Sequence, residues 1–556
     1  MVTPCCSWGC SKILDFGTAS THCIFLAPFV NLDSDTQLGQ NNHLMHQKIL
    51  EIGRDRLTIE QLAAAAERKI EVKLWDSPEF EAKINAGAAF LDESLEKYGG
   101  IYGVSTGYGD SCTEQVRPED YRELPINLTR YHGCGMGEYF DSETVRALMI
   151  VRLNTLAQGF SGVSMELLRF IEFFIAHDIL PLVPQEGSVG ASGDLTPLSY
   201  LAGALIGERR VLFQGGIRPS GEVLAELGKT SYQFRPKEAL AIMNGTAVMN
   251  AVAALAFTEA EYLADLACRV SAMNSIALRG NAFHFEKRLF ELKPHPGQAL
   301  AAEKIRTALP GASSGAQEGQ APARLQDLYS IRCAPHVIGL FYDAAATLRG
   351  FIETEMNSAN DNPLIDPETQ SVYHGGHFYG GHICFAMDSL KNIVANMADL
   401  LDRQLALLVD VKFNRGLPAN LTGSRNISCN HGFKAVQIAV SAWTAEALKN
   451  SMPMSVFSRS TECHNQDKVS MGTIAARDCV RINKLTAQVA AASLLAAFQA
   501  LDLRLKNGEL KTGDLGQAGK TFDEIAGFFS PLKDDRPLED DLRKTLSLIE
   551  ERHFCL

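Results

Sequence analysis

Apolar residues recur along this chain at helical spacing for most of its length. Leu57-Thr58-Ile59-Glu60-Gln61-Leu62 opens one such run, with Thr58 and Gln61 at capping-box spacing and alanines behind them. The pattern predicts further helices over 78–96, 142–159 and 164–178, and a shorter one over 123–133 that stops at glycine. After Tyr200 helix dominates. Residues 211–233 read as a short irregular excursion punctuated by Gly215, Gly216 and Gly221. Alanine- and leucine-rich stretches over 248–278 and 342–358 are long enough for bundle helices. Helix returns over 469–505, with a polar tail after Gly508. Two segments break the pattern. Residues 241–247 set Asn244 in an otherwise apolar helix, where a buried amide must find partners. Residues 310–322 are too polar and glycine-rich to pack, and read as flexible loop.

The residue balance is that of an ordinary folded protein, 46% hydrophobic and 21% charged over 556 residues. A net charge of -13 and a pI near 5.6, with no basic stripe, argue against nucleic acid or anionic membrane as partner. No uninterrupted apolar run reads as long enough to span a bilayer. The 13 cysteines are mostly scattered singly, as small buried hydrophobes of a reducing, cytoplasmic compartment. Cys5, Cys6, Cys10 and Cys23 crowd together beside His22, but the spacing matches no zinc pattern and no metal is expected. Only Lys12 supplies early positive charge, and Asp15 and Gly17 interrupt the apolar stretch, so a secretory signal is not expected. Residues 1–44 read instead as a disordered extension, or as the product of a start placed too far upstream.

Several segments carry candidate chemistry. Gly187-Ser188-Val189-Gly190-Ala191-Ser192-Gly193-Asp194 precedes an apolar run, and by itself reads as a turn with Asp194 near a helix N-terminus. Ile101-Tyr102-Gly103-Val104-Ser105-Thr106-Gly107-Tyr108-Gly109-Asp110 is a loop whose glycines give freedom around two tyrosines. Tyr131-His132 ends a short helix. Gln326-Asp327-Leu328-Tyr329-Ser330-Ile331-Arg332 follows the flexible loop, and Arg332 offers a planar fork suited to a carboxylate. Asn357-Ser358-Ala359-Asn360-Asp361-Asn362-Pro363, His374-Gly375-Gly376-His377-Phe378-Tyr379-Gly380 and Glu462-Cys463-His464-Asn465-Gln466-Asp467 complete the set. Taken alone, each has a structural explanation. The paired histidines have no carboxylate or cysteine at ligand spacing.

Together and in this order, these segments closely resemble the aromatic amino acid ammonia-lyase and aminomutase family, over roughly residues 50 to 530. The resemblance implies a mainly α fold, with a long central helical bundle and a smaller N-terminal part carrying the 187–198 loop. Residues 45–225 would form that part, and 226–556 the bundle and C-terminal helices. It implies that Ala191, Ser192 and Gly193 cyclise autocatalytically into a methylidene-imidazolone, so that no external cofactor is needed. The Gly193 nitrogen would bend back onto the Ala191 carbonyl, a path easiest for a residue without Cβ. Tyr102 would take the β-proton, which requires an electropositive setting that lowers its pKa. Asn244 and Tyr329 would surround the electrophile, with Phe378 beside it. Arg332 would hold the substrate carboxylate, while Gln326, Asn360 and Glu462 would contact substrate. Tyr131 and His132 would face the ring. Histidine-specific members usually carry Glu where this chain has Gln466, which favours a phenyl or phenolic substrate; many members carry Asn where it has His377.

The expected reaction is loss of ammonia from L-tyrosine to give 4-hydroxycinnamate, in a homotetramer with shared active sites. Tyr131 and His132 favour a ring bearing a hydroxyl, since buried polar groups without a partner carry a penalty. The alternatives are a phenylalanine or histidine ammonia-lyase, or an aminomutase that returns ammonia to the β-carbon. A catalytically inactive helical scaffold is the reading from another class. The intact Ala191-Ser192-Gly193, Tyr102 and Arg332 argue against it.

Overall fold

The computed structural model describes residues 49–98, 100–310 and 325–554. The expectations for residues 1–44, for the N-terminal cysteine cluster and for most of the 310–322 loop lie outside the described residues.

Four long helices, Ala247–Ala277, Ala334–Met356, Gly381–Val409 and Gly472–Lys506, pack into the central bundle the sequence implied. Alanine lets them approach closely. Ala490, Ala491, Ala492, Ala496, Ala497 and Ala500 are all buried along one helix. The Pro296–Ala308 helix lies on Ala334–Met356 through two glycines, where a Cβ on Gly297 would meet the Gly339 carbonyl at 2.2 Å. The Ala334–Met356 helix begins earlier than its apolar pattern, because Pro335 sits in its first turn.

The N-terminal helices match their sequence signals. Thr58 Oγ1 accepts from Gln61 N at 3.2 Å while Gln61 Oε1 accepts from Thr58 N at 3.0 Å, closing the capping box. Ile59–Ala66, Pro78–Tyr98, Glu123–Tyr131, Ser142–Leu156 and Met165–Ala176 follow, the last capped by Ser164.

Three expectations need correction. The 211–233 excursion is ordered: Arg210–Phe213 and Gly216–Pro219 form an antiparallel hairpin, and Ser220–Glu226 is helical. Its two-residue loop, Gln214 and Gly215, has φ of 49° and 80°, the left-handed pair that a tight hairpin requires. The tail after Gly508 is not simply polar. Ala518–Ala526 and Glu539–Glu550 are helices, and Phe522 stacks on Phe498 at 4.6 Å between ring centroids. Finally, Gly472–Lys506 is long and apolar enough to cross a membrane by length and composition, with a mean hydropathy of 1.3 in its most apolar window. In this fold 89% of that window is buried inside the protein, because the helix has bundle neighbours on several sides.

Candidate active site

The Ala191-Ser192-Gly193 turn is a tight, left-handed kink. Ser192 has φ of 52° and Gly193 of 74°, between Gly190 at 74° and the Leu195–Leu205 helix. Ser in this region costs about 1–2 kcal/mol, so the surroundings must hold it there. They do so with backbone. Gly193 bridges to Gly245, Asp194 N donates to Gly245 O at 2.8 Å, and Met471 N donates to Val189 O at 3.0 Å. A Cβ on Gly193 would lie 2.2 Å from the Gly245 carbonyl oxygen, so only glycine fits. Gln466 Nε2 reaches Ser192 Oγ at 3.4 Å from the far side of the chain.

Asp194 does not cap its own helix, as the sequence suggested. Its side chain is fully buried and turned the other way, accepting from Ser188 Oγ at 2.9 Å and from Met249 N at 2.8 Å. Thr473 Oγ1 also donates to it. Desolvation pushes its carboxyl pKa up, and these hydrogen bonds oppose the rise. The carboxylate thus neutralises orphan donors at the start of the Ala247–Ala277 helix, whose own Thr246 makes no side-chain cap.

Asn244 is not inside a helix. It ends Glu238–Met243, and the chain turns through Gly245 before Ala247–Ala277 begins. Turning there frees its amide for longer-range bonding: Nδ2 donates to Asn362 O at 2.9 Å, while the buried Oδ1 finds no partner among the described residues. Asn362 Oδ1 accepts from Gly375 N at 2.8 Å, which fastens the loop carrying His377 and the half-buried Phe378 beside this turn. Asn360 braces the same place, its Nδ2 donating to Thr246 Oγ1 and Glu355 O, both at 2.9 Å. Asp361 next to it pairs with Lys237 at 2.5 Å, both side chains fully buried. Arg152, not foreseen as a site residue, bonds the carbonyls of Asn244 and Asn360 through its buried guanidinium, each at 2.9 Å.

The tyrosine loop gathers near Glu462. Gly109 N donates to Tyr102 Oη at 2.8 Å, and Asp110 N donates to both Glu462 carboxylate oxygens at 3.0 Å. The electropositive setting required of Tyr102 is not found among the described residues of one chain. Burial pushes its phenol up, the Gly109 bond opposes this, and Glu462 and Cys112 push it further up. The Tyr131 phenol is pushed up by desolvation and by Tyr102 and Glu462, although the residue is 57% exposed in one chain, which weakens the desolvation. Tyr108, to which the sequence assigned no role, has a buried hydroxyl with no hydrogen-bond partner among the described residues. His132 lies 4.4 Å from Tyr131 between ring centroids. Its Nδ1 contacts Leu128 O at 3.1 Å; a carbonyl only accepts, so Nδ1 carries the hydrogen. Burial lowers its pKa, which favours the neutral ring and leaves Nε2 as acceptor.

Tyr329, Arg332 and Gln326 belong to the opposite end of the bundle. Asp327 accepts from Asn281 N at 2.6 Å and from Arg415 at 3.0 Å, and Gln404 holds Ser330 O at 2.9 Å while bonding Asn274. These anchors sit at the C-terminal end of the Ala247–Ala277 helix, whereas Asp194 binds Met249 at its start. That separation is roughly 40 Å along the helix axis. Arg332 stacks on the Tyr329 ring at 4.6 Å, and Tyr329 is 71% exposed. Two surface clefts, each about 350 Å³, lie against Pro296–Ala308 and away from the 191–193 turn.

The family described as aromatic amino acid lyase matches residues 57–522. The chain belongs to that family. A histidine ammonia-lyase from Staphylococcus aureus is 34% identical over 502 residues, covering 89% of this chain and 97% of that protein. Among solved members of the aromatic amino acid lyase fold, a tyrosine aminomutase from Streptomyces globisporus superposes with a TM-score of 0.84 at 31% identity, covering 91% of this chain and 97% of that one. A phenylalanine aminomutase from Pantoea agglomerans gives 0.83 at 30%, covering 90% and 98%.

Proposed function

We propose that this aromatic amino acid lyase eliminates ammonia from L-tyrosine to give 4-hydroxycinnamate. As a carbon–nitrogen lyase it must solve two problems: an amine is a poor leaving group, and a β-proton is scarcely acidic. The Ala191–Gly193 turn fits the family's self-made prosthetic group. It is folded back at two left-handed residues against a backbone that leaves no room for a Cβ, and the unpartnered Asn244 Oδ1 lies one residue from Gly245. Once formed, the methylidene-imidazolone supplies an electrophile that makes the amine a better leaving group.

The chain's own groups supply the rest. Tyr102 Oη, oriented by Gly109 N, takes the β-proton as the carbon–nitrogen bond breaks and the double bond forms. Arg332 clamps the substrate carboxylate. Its distance from the turn within one chain supports a homotetramer in which a second copy delivers Arg332 and Tyr329. Exposed Leu340 and Phe385 on the bundle helices, with Ile438 on the neighbouring Lys434–Lys449 helix, are the apolar surface such an assembly would cover. Cytoplasmic localisation accords with this reading.

The observation that carries the substrate choice is His132. With Nδ1–H committed to Leu128 O, the neutral ring offers an acceptor, which suits a phenol hydroxyl and wastes its bond on a bare phenyl. Histidine is the second reading, favoured by the name of the Staphylococcus relative. Separate incubation with tyrosine, phenylalanine and histidine, with product analysis, tests the assignment. Faster turnover of phenylalanine or histidine defeats it, and a dominant β-amino acid product makes the enzyme an aminomutase.

A further inference from the structure

Arg152 is a fully buried cation with no carboxylate in ion-pair contact among the described residues, although the charges of Asp361 and Asp194 act on it from farther off. It lies in the Ser142–Leu156 helix and bonds only neutral acceptors: Thr155 Oγ1 at 3.1 Å, Asn360 O and Asn244 O at 2.9 Å, and Ala241 O. Its Nε has no partner among the described residues. The Asp361 and Asp194 charges offset only part of the desolvation of the guanidinium, so the arrangement calls for a reason beyond packing.

The reason lies in what the guanidinium touches. A Cβ on Gly245 would meet Arg152 Nη1 at 2.3 Å and Asn360 O at 2.8 Å, so this peptide is in close contact with the guanidinium. Gly245 O in turn receives Asp194 N at 2.8 Å and abuts Gly193 so closely that a Cβ there would lie 2.2 Å away. Arg152, Gly245 and Gly193 therefore form a rigid stack, with the guanidinium at one end and the cyclising turn at the other. A shorter or differently shaped side chain at 152 would let Gly245 recede, and the left-handed Ser192 would relax toward extended backbone.

We propose that Arg152 is a positioning residue for formation of the electrophile, bracing Gly245 so that Gly193 N stays within reach of the Ala191 carbonyl carbon. The inference rests on the proposed cyclisation. In that step a bond forms from Gly193 N to the Ala191 carbonyl carbon. The carbonyl oxygen leaves as water with the Gly193 and Ser192 amide hydrogens, and the Ser192 hydroxyl leaves as a second water with its Cα hydrogen. No oxidant or reductant enters the balance.

The test uses the full chain carrying Arg152→Lys, which keeps the charge but cannot serve the same spread of acceptors. Intact mass, far-ultraviolet circular dichroism and turnover are measured together. The expected result is a helical protein whose dehydrated fraction falls about tenfold or more, a loss typical of small misplacements. Turnover should fall in proportion, with turnover per dehydrated chain and KM unchanged. A variant with the full mass deficit, even if less stable, overturns the bracing role. Thr155→Val removes one acceptor of Nη1 more gently, and should slow the appearance of the deficit after synthesis. If Arg152→Lys fails to accumulate, a normal rate in Thr155→Val overturns the proposal. An active parent at its full encoded mass overturns the cyclisation reading itself, and this inference with it.

Discussion

Gln466 Nε2 reaches Ser192 Oγ at 3.4 Å, joining residues 274 positions apart. Gln466 is itself oriented, since Thr461 Oγ1 donates to its Oε1 at 2.8 Å. The amide's donor end is thereby turned toward the serine hydroxyl. Being an amide, it brings a dipole but no ionisable charge to that position.

Dehydration of Ser192 has a direct signature. The purified protein is expected to weigh less than its encoded chain by two waters, roughly 36 Da, as covalent cyclisation requires. Ser192→Ala should abolish the deficit and nearly all turnover while the far-ultraviolet spectrum keeps its helical form. Full encoded mass in an active preparation would exclude a self-made electrophile.

Tyr102 gives a pH prediction. Its basic form is the ionised one, so the rate should rise with pH through the pKa of Tyr102 in the assembled enzyme. Glu462 raises that pKa. Removing the charge in Glu462→Gln lowers it, and the ascending limb of kcat/KM against pH should move to lower pH. Tyr102→Phe should retain the mass deficit and lose on the order of a hundredfold or more in rate. Near-normal turnover in Tyr102→Phe would move the base elsewhere, with Tyr329 the first candidate.

The unpartnered Tyr108 hydroxyl sets stability against selectivity. A buried hydroxyl without a hydrogen bond costs about 1–3 kcal/mol, a penalty that Phe does not incur. Tyr108→Phe is expected to raise the thermal midpoint of the substrate-free enzyme, and to lower its preference for tyrosine over phenylalanine. A lower midpoint would mean that the hydroxyl is already paired in the assembled protein.

How much of this was readable beforehand depends on how far each interaction reaches along the chain. Thr58 and Gln61 are three residues apart, and their capping box was plain in the sequence. The Ala191-Ser192-Gly193 triplet by itself reads only as a turn, and becomes a candidate through the other segments in their order along the chain. Arg152 gave no signal: it sits in an apolar helix, and its acceptors Ala241, Asn244 and Asn360 are 89, 92 and 208 positions away. Asp194 was legible as a helix-terminal acid but pointed to the wrong helix, since the Met249 amide it serves arrives only on folding. The Gln214-Gly215 hairpin was available in the sequence, with apolar Val211 and Phe213 alternating beside a glycine turn, yet its short strands were overshadowed by the surrounding helix.

Substrate choice can be tested from two directions. His132→Leu removes the acceptor and should shift preference toward phenylalanine, since a hydrogen bond to the ring hydroxyl is lost. An unchanged tyrosine-to-phenylalanine ratio would leave Tyr131 as the ring sensor. Gln466→Glu places a carboxylate where an imidazole could use it, and should raise histidine turnover relative to tyrosine. Parallel assays of all three amino acids read both effects.

The distance between the two halves of the site yields the strictest test. Within one chain Arg332 is tied, through Asp327, Asn281 and Gln404, to the far end of the helix that Asp194 caps at its start. No side chain spans roughly 40 Å of helix, so the proposed function, with Arg332 as carboxylate clamp, requires that another copy deliver it. Ser192→Ala lacks the electrophile but keeps Arg332, and Arg332→Ala lacks the clamp but keeps the electrophile. Each variant alone should be nearly inactive. Co-expressed in equal amounts, they should assemble sites that draw Ser192 from one chain and Arg332 from another. Random mixing then restores about a quarter of the parental sites. Mixed assemblies that remain as inactive as either variant alone would mean that each chain supplies both groups itself, and the shared-site reading would fail.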